Sequence, residues 1–215
     1  MLFFGVIRPA AGAEFDGLVD RWIAMQTNLH TWSADATQTR SLKTLSQPLV
    51  SKGKVWVAVP DRFRWELGQP AQTIALRQPD QLFIIYPKLK RVEKYPLKQA
   101  QPGPWRDALA LLEASFPRSR ADLESQFRLL SVAQTNSTVQ LTLQPKSSSA
   151  RKFMAEILVS FRSTDCSPVA TELRFSDGSS MRNDFTNSII NGPFGPDLFE
   201  VKTDSGFTTV EPLRQ

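Results

Sequence analysis

The spacing of apolar residues changes period along the chain, and each change marks an expected element. Phe15, Leu18, Val19, Trp22, Ile23 and Leu29 recur at helical spacing, with Asp16, Asp20 and Arg21 off that face. This predicts an amphipathic helix over 15–29. The polar, Thr-rich stretch from Trp32 to Arg40 reads as an extended first strand. From Lys54 the period is two. Val55, Val57 and Val59 alternate with Trp56, and after the Pro60-Asp61 turn signal Phe63, Trp65 and Leu67 alternate with Arg62, Arg64 and Glu66. Such alternation predicts antiparallel strands with one apolar and one wet face. Gln72–Arg77, Leu82–Tyr86 and Lys90–Tyr95 follow as further strands.

The middle differs. Gln101-Pro102-Gly103-Pro104 breaks the pattern. A helix is then expected over Trp105–Ala114, with Pro104 suited to its first turn, and a second short one over Ser119–Glu124. Strands resume over Phe127–Ala133, Val139–Leu143, Ala155–Phe161, Val169–Phe175 and Ser180–Phe185, with Thr135-Asn136-Ser137 and Asp177-Gly178 as turn signals. Phe199–Lys202 is expected to close the series. About ten strands with few helices predict an α+β domain built on one large curved antiparallel sheet, whose apolar face only the two helical regions can cover.

Length and charge narrow this picture. The 215 residues suit a single domain over 14–215, with 41% hydrophobic and 22% charged residues. No run of about 20 apolar residues suggests a membrane span. The net charge of +5 suits anionic lipid surfaces and is too small and too dispersed to point to nucleic acid. Ala11-Gly12-Ala13 after the apolar run Leu2–Ile7 has the small-x-small form of a signal-peptidase site, so residues 1–13 read as the remnant of a secretory signal. No cysteine follows that site, so the mature chain is expected free in the periplasm.

Catalytic chemistry has little to stand on. A single cysteine, Cys166, and a single histidine, His30, exclude an internal disulfide and most metal sites. No Gly-rich phosphate loop or nucleophile elbow is present. A hydrolase would have to rest on His30, which reads instead as a cation at the end of the first helix. Lys88, Lys90, Arg91 and Lys94, with Glu93 among them, form a basic cluster. It is either a contact for acidic phospholipid or a solvated strand edge whose lysines discourage sheet-to-sheet pairing.

The order of these pieces resembles the LolA family. The stretch Gly53-Lys54-Val55-Trp56-Val57-Ala58-Val59-Pro60-Asp61-Arg62-Phe63-Arg64-Trp65 matches its Trp-Val strand, Pro turn and aromatic strand. Gln69-Pro70, Ile74–Leu76, Gln81–Pro87 and the Thr-rich Ala36–Thr39 continue the likeness, and Asp184–Asn187 and Asp197–Val201 agree more loosely. The resemblance implies an unclosed β-barrel with a helical lid over an apolar cavity. It implies a periplasmic carrier without cofactor or metal, not an enzyme. Such a carrier shields the acyl chains of a lipoprotein or other lipid and moves them from an inner-membrane transporter to an outer-membrane receptor, as a monomer. Where the better-known carriers have a basic residue before the Pro, Val59 stands here, which points to a paralogue serving a dedicated lipid or glycolipid pathway.

On that resemblance, Trp56, Phe63, Trp65, Leu67, Leu82, Ile84 and Tyr86 are expected to line the cavity from the strands, and Trp105, Leu109 and Leu112 from the lid. Without it, the same stripes read as core packing. A sensor or scaffold of the same fold, binding a lipid or protein ligand to regulate a partner, is the other function open to this sequence.

Overall fold

The computed structural model describes residues 8–9, 12–97, 114–135 and 137–212. In chain order its elements are β1 (Arg8–Pro9), α1 (Gly12–Gln26), β2 (Thr31–Ser41), β3 (Leu49–Ala58), β4 (Arg62–Leu67), β5 (Thr73–Gln78), β6 (Gln81–Tyr86), β7 (Arg91–Pro96), α2 (Arg120–Gln126), β8 (Phe127–Gln134), β9 (Thr138–Pro145), α3 (Ser148–Arg151), β10 (Met154–Arg162), β11 (Pro168–Phe175), β12 (Ser180–Ile190) and β13 (Thr208–Val210). The strands follow one another in the order β1-β8-β9-β10-β11-β12-β2-β3-β4-β5-β6-β7-β13. That order has two ends, so the fold is α+β with a large sheet that is not closed into a barrel. Two compact units are built on it from interleaved segments, the first within 1–28, 38–50 and 104–185, the second within 29–37, 51–103 and 186–215.

In the first unit, β8 to β12 are antiparallel neighbours, and their register aligns Leu129, Leu143, Ile157, Leu173 and Met181 in one row. The next row is Val132, Leu141, Val159, Thr171 and Asn183. A bulge between Leu129 and Ser131 lets both Leu129 and Val132 face the core and leaves Leu130 exposed. Onto this face α1 lays Val19, Trp22 and Ile23, the positions its helical spacing marked, and α2 adds Leu123. The Trp22 ring stacks on Phe161 of β10 with centroids 5.3 Å apart. Helix α2 starts where Ser119 accepts a hydrogen bond from the Asp122 amide, an N-cap. Across the surface, the Arg120 guanidinium is held by Asp16 and Asp20 of α1 and by its own Glu124.

The second row ends in a buried polar ladder. Gln38 of β2 donates to Asn183 Oδ1 at 3.0 Å, and Asn183 donates in turn to Thr171 Oγ1 at 3.2 Å. Asn183 is fully buried, so these bonds have no water to replace them. An Asn183→Ala variant is expected to lose about 2 kcal/mol by stranding the Gln38 amide, read as a lower urea midpoint at unchanged slope; an unchanged midpoint would contradict this.

In the second unit, β3 to β7 form an antiparallel meander. Its two faces differ in cover. On one, Ile74, Ile85 and Val92 make a small core with Ala71, Phe83, Val201 and Phe207, the last two from the segment after β12. That segment is irregular. The carbonyl oxygens of Leu198 and Phe199 accept from Arg64 Nη1 and Gln78 Nε2, at 3.3 and 3.0 Å. It then adds β13, which pairs in parallel with β7.

Several expectations are corrected. Phe199–Lys202 is not a strand, because these carbonyls are engaged by side chains of β4 and β5 rather than by a neighbouring strand; the closing strand is β13. Helix α1 ends at Gln26 rather than Leu29, with the Thr27 hydroxyl bonded back to the Ala24 carbonyl. His30 therefore lies beyond the helix end, exposed, with its backbone bonded to Asn191 Oδ1 and to the Val59 amide. Lys90 turns with φ 47° after a short 3-10 turn at Pro87–Leu89, so β7 begins at Arg91. Apart from these corrections, β1 sets Arg8 and Pro9 opposite Gln134 and Ala133 of β8.

Candidate functional site

The candidate site is the other face of the meander in the second unit. Register fixes its membership, because antiparallel partners point to the same side. One row runs Val55, Trp65, Ala75, Ile84, Glu93 and the next Val57, Phe63, Arg77, Leu82, Tyr95. Leu67 faces Thr73, and Tyr86 faces Arg91, at either side of these rows. Of the residues expected to line a cavity, Phe63, Trp65, Leu67, Leu82, Ile84 and Tyr86 thus share one face of the sheet. Phe63, Trp65 and Leu82 are buried, and Leu67, Ile84 and Tyr86 are half-buried.

Trp56 is placed differently. It pairs with Arg64 and continues through Leu76, Phe83 and Lys94, on the reverse face. Its own strand already separates it from the valines, and Val57, not Trp56, stands opposite Phe63. Trp105, Leu109 and Leu112 lie outside the described residues.

Sequence reasoning missed Val55, Val57, Ala75, Arg77, Glu93 and Tyr95 on this face. The valines carried a signal, since they alternate with Trp56. Nothing in the local pattern of β5 or β7 marks Arg77 or Glu93 as sharing a face with aromatic residues.

Arg77 stands on β5, and a second group of polar side chains on this face lies on β7. Glu93 is held by Arg91 Nη2 at 2.7 Å and accepts from the Tyr95 hydroxyl at 2.8 Å. Burial, then the hydrogen bond to Glu93, pushes the Tyr95 phenol up. Burial and then the Glu93 charge do the same to Tyr86. Both phenols therefore stay neutral, able to donate a hydrogen bond. The basic cluster is dispersed: Lys94 reaches Glu211 at 3.7 Å, Lys90 reaches Asp204 at 3.9 Å, Arg91 is taken by Glu93, and Lys88 is exposed. Pairing of this kind fits a solvated edge. In the first unit, Cys166 is buried, and burial pushes its thiol up, away from thiolate reactivity. Among the described residues no group of three or more His, Cys, Asp and Glu side chains could hold a metal ion, and no helix is long and apolar enough to cross a membrane.

An apolar, aromatic sheet face with acid–base groups tied to one another is suited to binding rather than to turnover. The model of the family described as outer membrane lipoprotein carrier protein LolA matches residues 27–202. The chain belongs to the LolA family. That membership places it in the periplasm and agrees with a carrier that is not an enzyme. No curated protein matches the sequence. Among solved structures, this LolA-family chain is similar to an uncharacterized conserved protein from Thermus thermophilus, at 10% identity and a TM-score of 0.54, covering 92% of this chain and 99% of that one. It is also similar to a DUF1329 family protein from Desulfovibrio piger, at 12% identity and a TM-score of 0.50, covering 90% and 98%. At such identities these likenesses speak for the fold alone.

Proposed function

We propose that the chain is a periplasmic carrier that shields the acyl chains of a lipoprotein or another lipid and takes them from an inner-membrane transporter to an outer-membrane receptor. The observation that carries this reading is the face of β3–β6 on which Phe63, Trp65, Leu67, Leu82 and Ile84 converge. Lipid tails do not cross water unaided. Burying one methylene stabilises by about 0.8 kcal/mol, so a tail of about 15 methylenes gains roughly 12 kcal/mol on apolar surface. Aromatic and aliphatic side chains on a rigid sheet supply that surface without any catalytic group.

Native mass spectrometry of protein taken from a periplasmic extract, followed by lipidomics of what dissociates, tests the reading. One acylated species at near-equal ratio is the expected result. Protein that is lipid-free and also ignores a fluorescent fatty-acid probe would overturn it. Ile84 offers a sharper check, because it is half-buried on this face and can be changed without opening the core. Ile84→Asp sets a carboxylate among apolar neighbours and is expected to weaken acyl-probe binding by about ten-fold or more, with the circular dichroism spectrum preserved. Unchanged probe affinity would take the ligand off this face.

A further inference from the structure

Arg77 is out of keeping with the surface it stands in. Its neighbours in register on β4 and β6 are Phe63 and Leu82, and Trp65, Ala75 and Ile84 occupy the adjoining row. Its Nε is buried without a hydrogen-bond partner. Among the described residues no ion pair or hydrogen bond reaches its side chain. The other half-buried arginines of the described residues each hold a carboxylate: Arg64 holds Glu66, Arg120 holds Asp16, Asp20 and Glu124, and Arg182 holds Asp184 and Glu172.

Among the described residues, no carboxylate on this face is free to serve Arg77. Glu93, the acid of the adjoining row, is already engaged by Arg91 and by the Tyr95 hydroxyl. Glu66 lies on the reverse face, where it takes Arg64. A guanidinium is a permanent cation and a donor without acceptor capacity. A buried donor left unmade is costly, and such an orphan in a native structure calls for an account. The residue as a whole retains partial exposure. The fork of donors that a guanidinium presents matches the two oxygens of a carboxylate or of a phosphate.

We propose that Arg77 is the counter-ion for an oxyanion, a carboxylate or phosphate, borne by the acyl ligand itself. The preferred cargo is then an anionic amphiphile whose charged head is bound on β4–β6 beside Phe63 and Leu82, while its chain lies along the apolar rows. This rests on the carrier reading above and adds to it a head-group chemistry and a site for the head.

The test is competition against a neutral fluorescent acyl probe on the full chain at neutral pH. The competitors share one chain length: dodecanoate, dodecyl phosphate and dodecanol, with inorganic phosphate as the head without a chain. The wild type is expected to prefer either anion over dodecanol by at least about ten-fold, the size of a charge-assisted hydrogen bond. Arg77→Met is expected to abolish that preference, so that the anions and dodecanol compete alike, and Arg77→Lys to keep part of it. If Arg77→Met fails to fold by circular dichroism, the wild-type ranking and Arg77→Lys still decide the matter. Equal binding of the anions and dodecanol by the wild type would overturn the role of Arg77 and leave the carrier reading standing. A preference that survives in Arg77→Met would assign it to another cation and overturn the inference. Displacement of the probe by inorganic phosphate alone would make this a free-anion site and would overturn the inference as well. Failure of every acyl compound, the probe included, to bind would remove the carrier reading and this inference together.

Discussion

A Trp22→Ala variant is expected to lose about 4 kcal/mol of stability, the usual range for deleting a buried large aromatic side chain. Trp22 is 1% exposed and is the central member of the α1 stripe that packs on the first unit's sheet. Its ring lies flat on Phe161, with the two planes 2° apart. Truncation removes that stacking contact. It also opens a void beneath a helix that the rigid strands β9 and β10 cannot close. Urea denaturation followed by tryptophan-independent far-UV circular dichroism would measure the loss. A double-mutant cycle with Phe161→Ala should return a coupling of about 1 kcal/mol for the stacked pair. A loss below about 1 kcal/mol for Trp22→Ala would mean that α1 does not anchor this core.

The substitution Gly53→Ala should be nearly as damaging, for a different reason. A Cβ at Gly53 would stand 1.8 Å from the carbonyl oxygen of Glu66 and 2.8 Å from its carbon. Both atoms belong to the backbone of β4, so no rotamer change can make room. Gly53 is paired with Leu67, and next to it the Gly68 amide donates to the Lys52 carbonyl at 2.7 Å. One added methyl group must therefore push β3 away from β4 at the end of the pair where Leu67 reaches the aromatic face. The expected loss is about 3 kcal/mol, at the upper end for overpacking. Faster hydrogen exchange at the amides of β3 and β4 should accompany it. Wild-type stability in Gly53→Ala would show that the two strands can part locally without loss.

The local pattern made much of the fold legible. The stripe of Val19, Trp22 and Ile23 and the alternation of Phe63 and Trp65 each named the buried side of its own element. What the pattern could not carry was the relation between elements. Trp56 is the clearest case. Its alternation with Val55 and Val57 was readable, but which of those sides joins Phe63 depends on the register across the Val59–Asp61 turn, and that pairs Val57 with Phe63. The segment after β12 escaped for another reason. It lies on the reverse face through two backbone carbonyls and two separated side chains, Val201 and Phe207, and such contacts leave no period to detect. Arg77 was hidden by its own strand. Ile74 and Leu76 mark one side of β5 as apolar, which would leave the charged residue to water, whereas both sides of this strand are flanked by apolar neighbours.

The short strand β13 carries a consequence for how the protein folds. Thr208 is paired with Arg91, across a very long stretch of sequence. Contacts of such separation are slow to form, because the entropy of closing the loop is lost before the pairing returns anything. Until β13 arrives, the open side of β7 offers unpaired amides and carbonyls to any other chain nearby, next to Val92, which is buried in the finished fold. The refolding yield of this protein should therefore fall as its concentration rises, and the sensitive period is the interval before this last edge is covered.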